Sequence, residues 1–340
     1  MVQKLKKDEF DRPPVLHNKA GEERKAGIEL EYAAVNLEQT AEIISALFGG
    51  SVRRITTFEF KVEDTDFGEF KLELDAQLLR EKKYESFLKK IGIDISELKK
   101  KKELEELLSD MASTIVPFEI VTPPIPISKL YKVDELASEM RKNHAEGTGT
   151  SFFHAFGMHL NPEIPDVKPE TILRTLQSFI LLQEWIRLDS EIDLSRRITP
   201  YIDDFKKEYK RLILQKDYKP DMNRLMDDYL EHNPTRNRPL DLLPVFEFVD
   251  EDKVQAVVDD GLTSSRPAFH YRLPNCRIDE PEWSVASEWN RWVLVEKLAS
   301  DYKTLSRLKE DYTNYSKESS FGFKGKWIRH VYKWVYEVRN

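Results

Sequence analysis

The apolar positions change period along the chain, and each change marks an element. In "AGIELEYA" (26–33) Ile28, Leu30 and Tyr32 alternate with Glu29 and Glu31, the period-two pattern of a strand with one buried face. "NLEQTAEIISALFGG" then carries apolar residues at helical spacing, with Gly49 and Gly50 as its stop. The runs "TFEFKVE" and "FGEFKLELD" alternate again and predict a hairpin turning at "EDTDFG". "STIVPFEIVTPPIP" reads as a strand over 115–121 closed by Pro123 and Pro124, with a helix to follow over 128–143. "FFHAFGMHLNPE" and "SRPAFHYRLPN" predict two more extended segments, at 152–161 and 265–275. Helical spacing covers 168–232, 282–314 and 324–337, the last marked by Trp327, Tyr332, Trp334 and Tyr336 as packing residues. Helices alternating irregularly with hairpin-linked strands predict an α+β fold on a mainly antiparallel sheet.

Applying the period-two rule to each strand exposes a second pattern. Opposite the apolar face lie Glu29 and Glu31 in the first strand, and Glu119 in the next, where Val116, Phe118 and Ile120 face the core. His159 and Asn161 share a face with Ala155 and Gly157, and His270 and Arg272 share one with Ala268. A solvent-washed face favours lysine and threonine; these faces hold carboxylates, imidazoles and arginine. If the strands are neighbours, the side chains converge into a set of hard oxygen and imidazole donors suited to Mg²⁺ or Mn²⁺. A cation would also offset the repulsion between Glu29 and Glu31.

Composition narrows the function classes. The chain has 340 residues, of which 34% are charged, and a net charge of -8, so no global attraction to nucleic acid or an anionic membrane is expected. No stretch approaches the roughly 18 to 20 apolar residues of a membrane span, and a cytoplasmic location is the expectation. The single cysteine, Cys276, excludes an intrachain disulfide and a cysteine-rich metal site. The charged residues 1–25 read as a loose lead-in, and the lysine- and glutamate-rich run after the hairpin as a helical insertion. No Gly-x-x-x-x-Gly-Lys-Ser/Thr loop is present.

Four motifs stand in a fixed order across about 26–295: "GIELEY", "FEIVTPP", "FGMHLNPE", and "AFHYRLPN" followed by "EWNRWV". Together they resemble the putative amidoligase family, within the glutamine synthetase and glutamate–cysteine ligase superfamily of carboxylate–amine ligases. "TDFGEFKLE" is similar to an aspartate–glutamate metal segment of glutamate–cysteine ligases, matching Asp66 and Glu73. The resemblance implies a glutamine synthetase-like curved sheet with helices packed on one face and the active site on the other. It implies a single ligase-like domain over 26–340, with the insertion at about 76–113 and a C-terminal helical region at about 282–338.

By the same resemblance Glu29, Glu31, Glu119, His159, His270, Asp66 and Glu73 hold divalent ions that bridge ATP. Arg272, Arg236 and Arg266 contact the nucleotide, and Arg272, Arg238 and Asn161 serve the chemistry. The implied reaction joins a small-molecule or peptide carboxylate to an amine or ammonia through an acyl phosphate. Two positions depart from the family pattern: Asn161 stands where a second histidine is usual, and His270 where a glutamate is usual. They motivate an alternative, a catalytically inactive descendant acting as a binding or structural protein. A metal-dependent hydrolase is a third reading. A homo-oligomer is an open expectation.

Overall fold

The computed structural model describes residues 10–74, 117–148, 156–192, 202–258, 263–318 and 323–339. Its centre is a sheet of β1 (Lys25–Tyr32), β2 (Ser51–Arg54), β3 (Glu59–Thr65), β4 (Gly68–Leu74), β5 (Phe118–Val121), β6 (Ile125–Pro126), β7 (Met158–Pro162), β8 (Leu240–Asp241) and β9 (His270–Tyr271). The strands lie in the order β2-β3-β4-β5-β1-β7-β9-β8, with β6 paired to β1. Every pairing is antiparallel, as the α+β reading expects.

Helices cover the apolar side. The first, α1 (Leu37–Phe48), starts at Asn36, whose side chain accepts from the Gln39 amide at 2.8 Å, the cap geometry that satisfies an otherwise orphaned N–H. It ends at Gly49 and Gly50, with φ of 73° and 84°, and a Cβ on Gly50 would collide with the Glu63 carbonyl. Phe48 stacks on Phe70 of β4, and Tyr32 of β1 donates to Thr40 of α1. After a 3₁₀ turn at Ile127–Lys129 come α2 (Tyr131–Lys142), α3 (Pro169–Asp189), α4 (Lys207–Ile213), α5 (Met222–His232), α6 (Leu243–Val249), α7 (Glu251–Gln255), α8 (Val285–Ser300), α9 (Tyr302–Glu318) and α10 (Phe323–Arg339). Phe179 of α3 and Trp292 of α8 both pack on Tyr271 of β9, fixing that short strand against the core. Among the described residues no helix is long and apolar enough to cross a membrane.

Several expectations are corrected. The hairpin is a three-stranded meander, because the weakly patterned "SVRR" pairs with β3. Of 265–275 only His270–Tyr271 forms a ladder; Pro267 and Pro274 cannot donate, and Ala268 and Asn275 make isolated bridges to Glu163 and Gly157, the residues on either side of β7. The C-terminal aromatics divide: Trp327 is fully buried and donates to the Leu181 carbonyl at 2.9 Å, whereas Tyr336 is 51% exposed. The lead-in is not loose over 10–24. Arg24, with no exposure at all, bonds the carbonyls of Val15 and Glu163 and both oxygens of Glu296. Local charge could not reveal this, since the partners lie 139 and 272 residues away. The proposed insertion at 76–113 and the start of the 152–161 segment lie outside the described residues.

Candidate active site

Strand register assembles the polar face. Glu119 pairs with Glu31 on one side and with Glu73 on the other, and Glu29 pairs with His159. One step along, Gly27 faces Asn161, and His270 pairs with Asp241. Because the side-chain period is two on every strand, these residues project to the same side. They line a cavity of about 740 Å³ together with Arg236, Arg266 and Arg272, within the size range of small-molecule sites. Glu73, Glu119, Glu29 and Glu31 come from β4, β5 and β1 at one end, and Arg272, beside β9, and Asp241 of β8 mark the other.

His159 organises the acidic end. Its Nδ1 lies 2.6 Å from Glu29 Oε2, and its Nε2 lies 3.6 Å from Glu31 Oε1. The first contact is a hydrogen bond to a carboxylate, which can only accept, so Nδ1 carries a proton and Nε2 faces Glu31. Glu31 Oε2 also accepts from the Gly157 amide at 2.6 Å. Among the described residues two sets have ligating atoms within 4.8 Å of one another: Glu31, Glu119 and His159, and Glu29, His159 and His270.

Asn161 joins the two ends. Arg266 can only donate, and its Nη2 lies 2.7 Å from Asn161 Oδ1, so the amide nitrogen faces Glu29 Oε1 at 2.8 Å. His270 Nδ1 is 2.7 Å from the same Oδ1 and must therefore be the protonated ring nitrogen. Burial pushes the His270 imidazole well below its ordinary value, against the opposing pull of Glu29. Burial raises the Glu29 carboxyl, but His270, the hydrogen bond from His159 and the Arg266 charge outweigh it and hold Glu29 well below the usual range.

Asn161 and His270, the two positions that the motif resemblance marks as departures, bond directly and so act as one unit. Restoring one alone breaks the contact: His270→Glu would set a carboxylate against Asn161 Oδ1 and near Glu29, now 4.0 Å from the ring. The double variant Asn161→His/His270→Glu is expected to be more stable than the sum of its singles by about 1 kcal/mol. Denaturant melts of the four proteins measure this.

Not every expected residue arrives. Asp66 sits in the β3–β4 turn, where its amide donates to the Phe48 carbonyl at 2.9 Å. Glu73 lies five strand steps beyond the start of β4 at Gly68, roughly 17 Å along the strand, and Asp66 is not on the cavity wall, so it is not part of the cluster. Glu73 does line the cavity, paired with Lys71 at 2.7 Å. Arg238 is buried elsewhere, its Nε donating to Asn233 Oδ1 at 2.8 Å; it braces the approach to β8 and is not on the cavity wall. Asn161, Arg236, Arg266 and Arg272 are on that wall.

Asp241 escaped the reading of the sequence. It lies in a strand of two residues, too short for periodicity to register. Its carboxyl is 1% exposed, and burial raises it from 3.8 to about 6, only partly countered by the Leu243 amide and by Arg272, Arg236 and Arg266. The folded state therefore keeps this proton to higher pH than the unfolded chain does. Stability is expected to fall as pH rises from about 4 to about 6 and then to level off, and Asp241→Asn should remove that slope from thermal melts taken across the window.

No curated protein and no solved structure gives a significant match to this chain. The family model described as putative amidoligase enzyme matches residues 22–294, from just before β1 into α8. With most of its length and every described strand inside that match, the chain belongs to the putative amidoligase enzyme family.

Proposed function

We propose that this ligase-type protein forms amides at the expense of ATP, activating a carboxylate as an acyl phosphate with the help of Mg²⁺ or Mn²⁺. The observation that carries this reading is the division of one cavity into a carboxylate–imidazole end and an arginine end. The donor set fits a hard divalent cation: two carboxylates and one imidazole come within ligand reach of one another, and the Nδ1 contact with Glu29 orients the ring. Glu31, Glu119 and His159 would hold the ion, which supplies neutralisation of phosphate charge. Both oxygens of Glu29 already accept bonds from His159 and Asn161, so its role is orientation.

Phosphoryl transfer asks little covalent work of the protein and much positioning. A substrate carboxylate oxygen attacks the γ-phosphorus as the bond to ADP breaks. The amine nitrogen, having given one proton to solvent, then attacks the acyl carbon; the C–O bond to phosphate breaks, and phosphate leaves with its electron pair and takes up the nitrogen's second proton. Arg266 and Arg272 suit the phosphate oxygens in both steps, being planar, permanently charged donors. Asn161 fixes Arg266 through the 2.7 Å bond.

Incubation with ATP, Mg²⁺ or Mn²⁺ and mixed carboxylates and amines should release ADP; absence of release under every combination overturns the ligase reading. A non-catalytic binding protein is the second reading, favoured by one observation, the internal saturation of Glu29. It requires nucleotide or metal binding in calorimetry with no turnover.

A further inference from the structure

Among the buried polar atoms at the arginine end of the cavity are one on an anion and one on a cation that have no hydrogen-bond partner among the described residues. Asp241 Oδ1 accepts from the Leu243 amide at 2.9 Å, but its Oδ2 is buried with no partner. Arg236 Nη1 is likewise buried with no partner, although the backbone of Arg236 is pinned by Arg272, whose Nη1 donates to the Arg236 carbonyl at 2.7 Å. Both side chains line the same cavity, and the Arg236 charge acts on the Asp241 carboxyl without a hydrogen bond to its Oδ2. A buried polar atom of a charged group left without a hydrogen bond is costly, and here one such atom belongs to a carboxylate and one to a guanidinium of the same cavity.

Ligand classes can be tested against that pair. A phosphate or simple carboxylate would satisfy Arg236 and be repelled by Asp241. Ammonium or a simple amine would satisfy Asp241 and leave Arg236 unmet. A molecule carrying an ammonium and a carboxylate a bond or two apart meets both. We infer that Arg236 and Asp241 form a subsite for the zwitterionic head of an α-amino acid, which serves as the amine substrate. Arg236 takes its carboxylate and Asp241 its ammonium. This rests on the ligase reading of the cavity and specifies that reading's amine.

The test begins with binding to the intact protein. The twenty L-amino acids are screened by thermal shift, and the strongest binder is compared in calorimetry with its decarboxylated amine and its N-acetyl form. At least one amino acid is expected to bind, and each truncated form to bind about 10- to 100-fold more weakly, the size of one charged hydrogen-bonding contact. Asp241→Asn, which keeps the acceptor for Leu243, and Arg236→Gln should each weaken the amino acid by a similar factor. Because the three-ligand comparison uses the unmodified protein, a variant that fails to fold does not blunt it. If no amino acid binds, or if the decarboxylated amine binds as well, the inference is overturned. ADP release supported by ammonium chloride and by no amino acid would overturn it while sustaining the ligase reading. Amino-acid binding that discriminates the three forms, without ADP release under any condition, would sustain the subsite and overturn the ligase reading.

Discussion

Glu31→Gln is expected to cut metal-dependent ADP release by more than about 100-fold, with the fold intact. The substitution removes a charge and exchanges a carboxylate oxygen for an amide at the point where Glu31, Glu119 and His159 converge. The amide oxygen of the glutamine can still accept from the Gly157 amide, which Glu31 now engages at 2.6 Å, so little stability is lost. Glu119→Gln should behave alike. Glu29→Gln should lose less, about 10- to 100-fold, since a group that orients a metal-holding histidine contributes that much in well-studied sites. Glu69→Gln is the control: its carboxylate pairs with Lys61 and is 44% exposed at the outer hairpin, and activity should be unchanged. Steady-state ADP release and Mn²⁺ calorimetry on the four variants separate these expectations. Equal losses in Glu31→Gln and Glu69→Gln would sink the site assignment.

Removing one side of the Arg24–Glu296 pair is expected to destabilise the protein by about 3 to 5 kcal/mol, as uncompensated buried charges do. Arg24 is wholly buried, and its guanidinium spends its donors on Glu296 at 2.8 Å and on the carbonyls of Val15 and Glu163. Glu296 accepts from Trp292 at 2.7 Å as well. Glu296→Leu therefore strands a cation, and Arg24→Met strands a carboxylate and two carbonyls. The double variant should be less damaged than Glu296→Leu alone, because an apolar pair of similar volume incurs no charge-burial cost. Denaturant unfolding of the singles and the double gives the result. The pair also matters for function: Arg24 immediately precedes β1, and Glu163, whose carbonyl it holds, lines the cavity.

How much of this was legible before folding depended on the range of each interaction. Alternation within a strand is a property of neighbouring residues, so Glu29, Glu31, Glu119, His159 and His270 could be assigned to polar faces from their parity. Arg24 could not be distinguished from the charged residues around it, since its partner belongs to α8. Asp66 and Arg238 were carried to the site by motif likeness and by composition. The turn geometry and the demand of a buried guanidinium for acceptors placed them elsewhere. Asp241 had no signature, because a two-residue strand has no period.

By itself the sequence determined the α+β alternation of elements, the parity of each polar face and the oxygen-and-imidazole chemistry of its donors, all consequences of local backbone geometry. The tertiary structure alone decided that β5, β1, β7, β9 and β8 lie side by side, that Asn161 and His270 are one hydrogen-bonded unit, and that Asp241 and Arg236 close the far end. Those outcomes depend on pairing between segments many residues apart, where register is set by the whole core and not by any window of the chain.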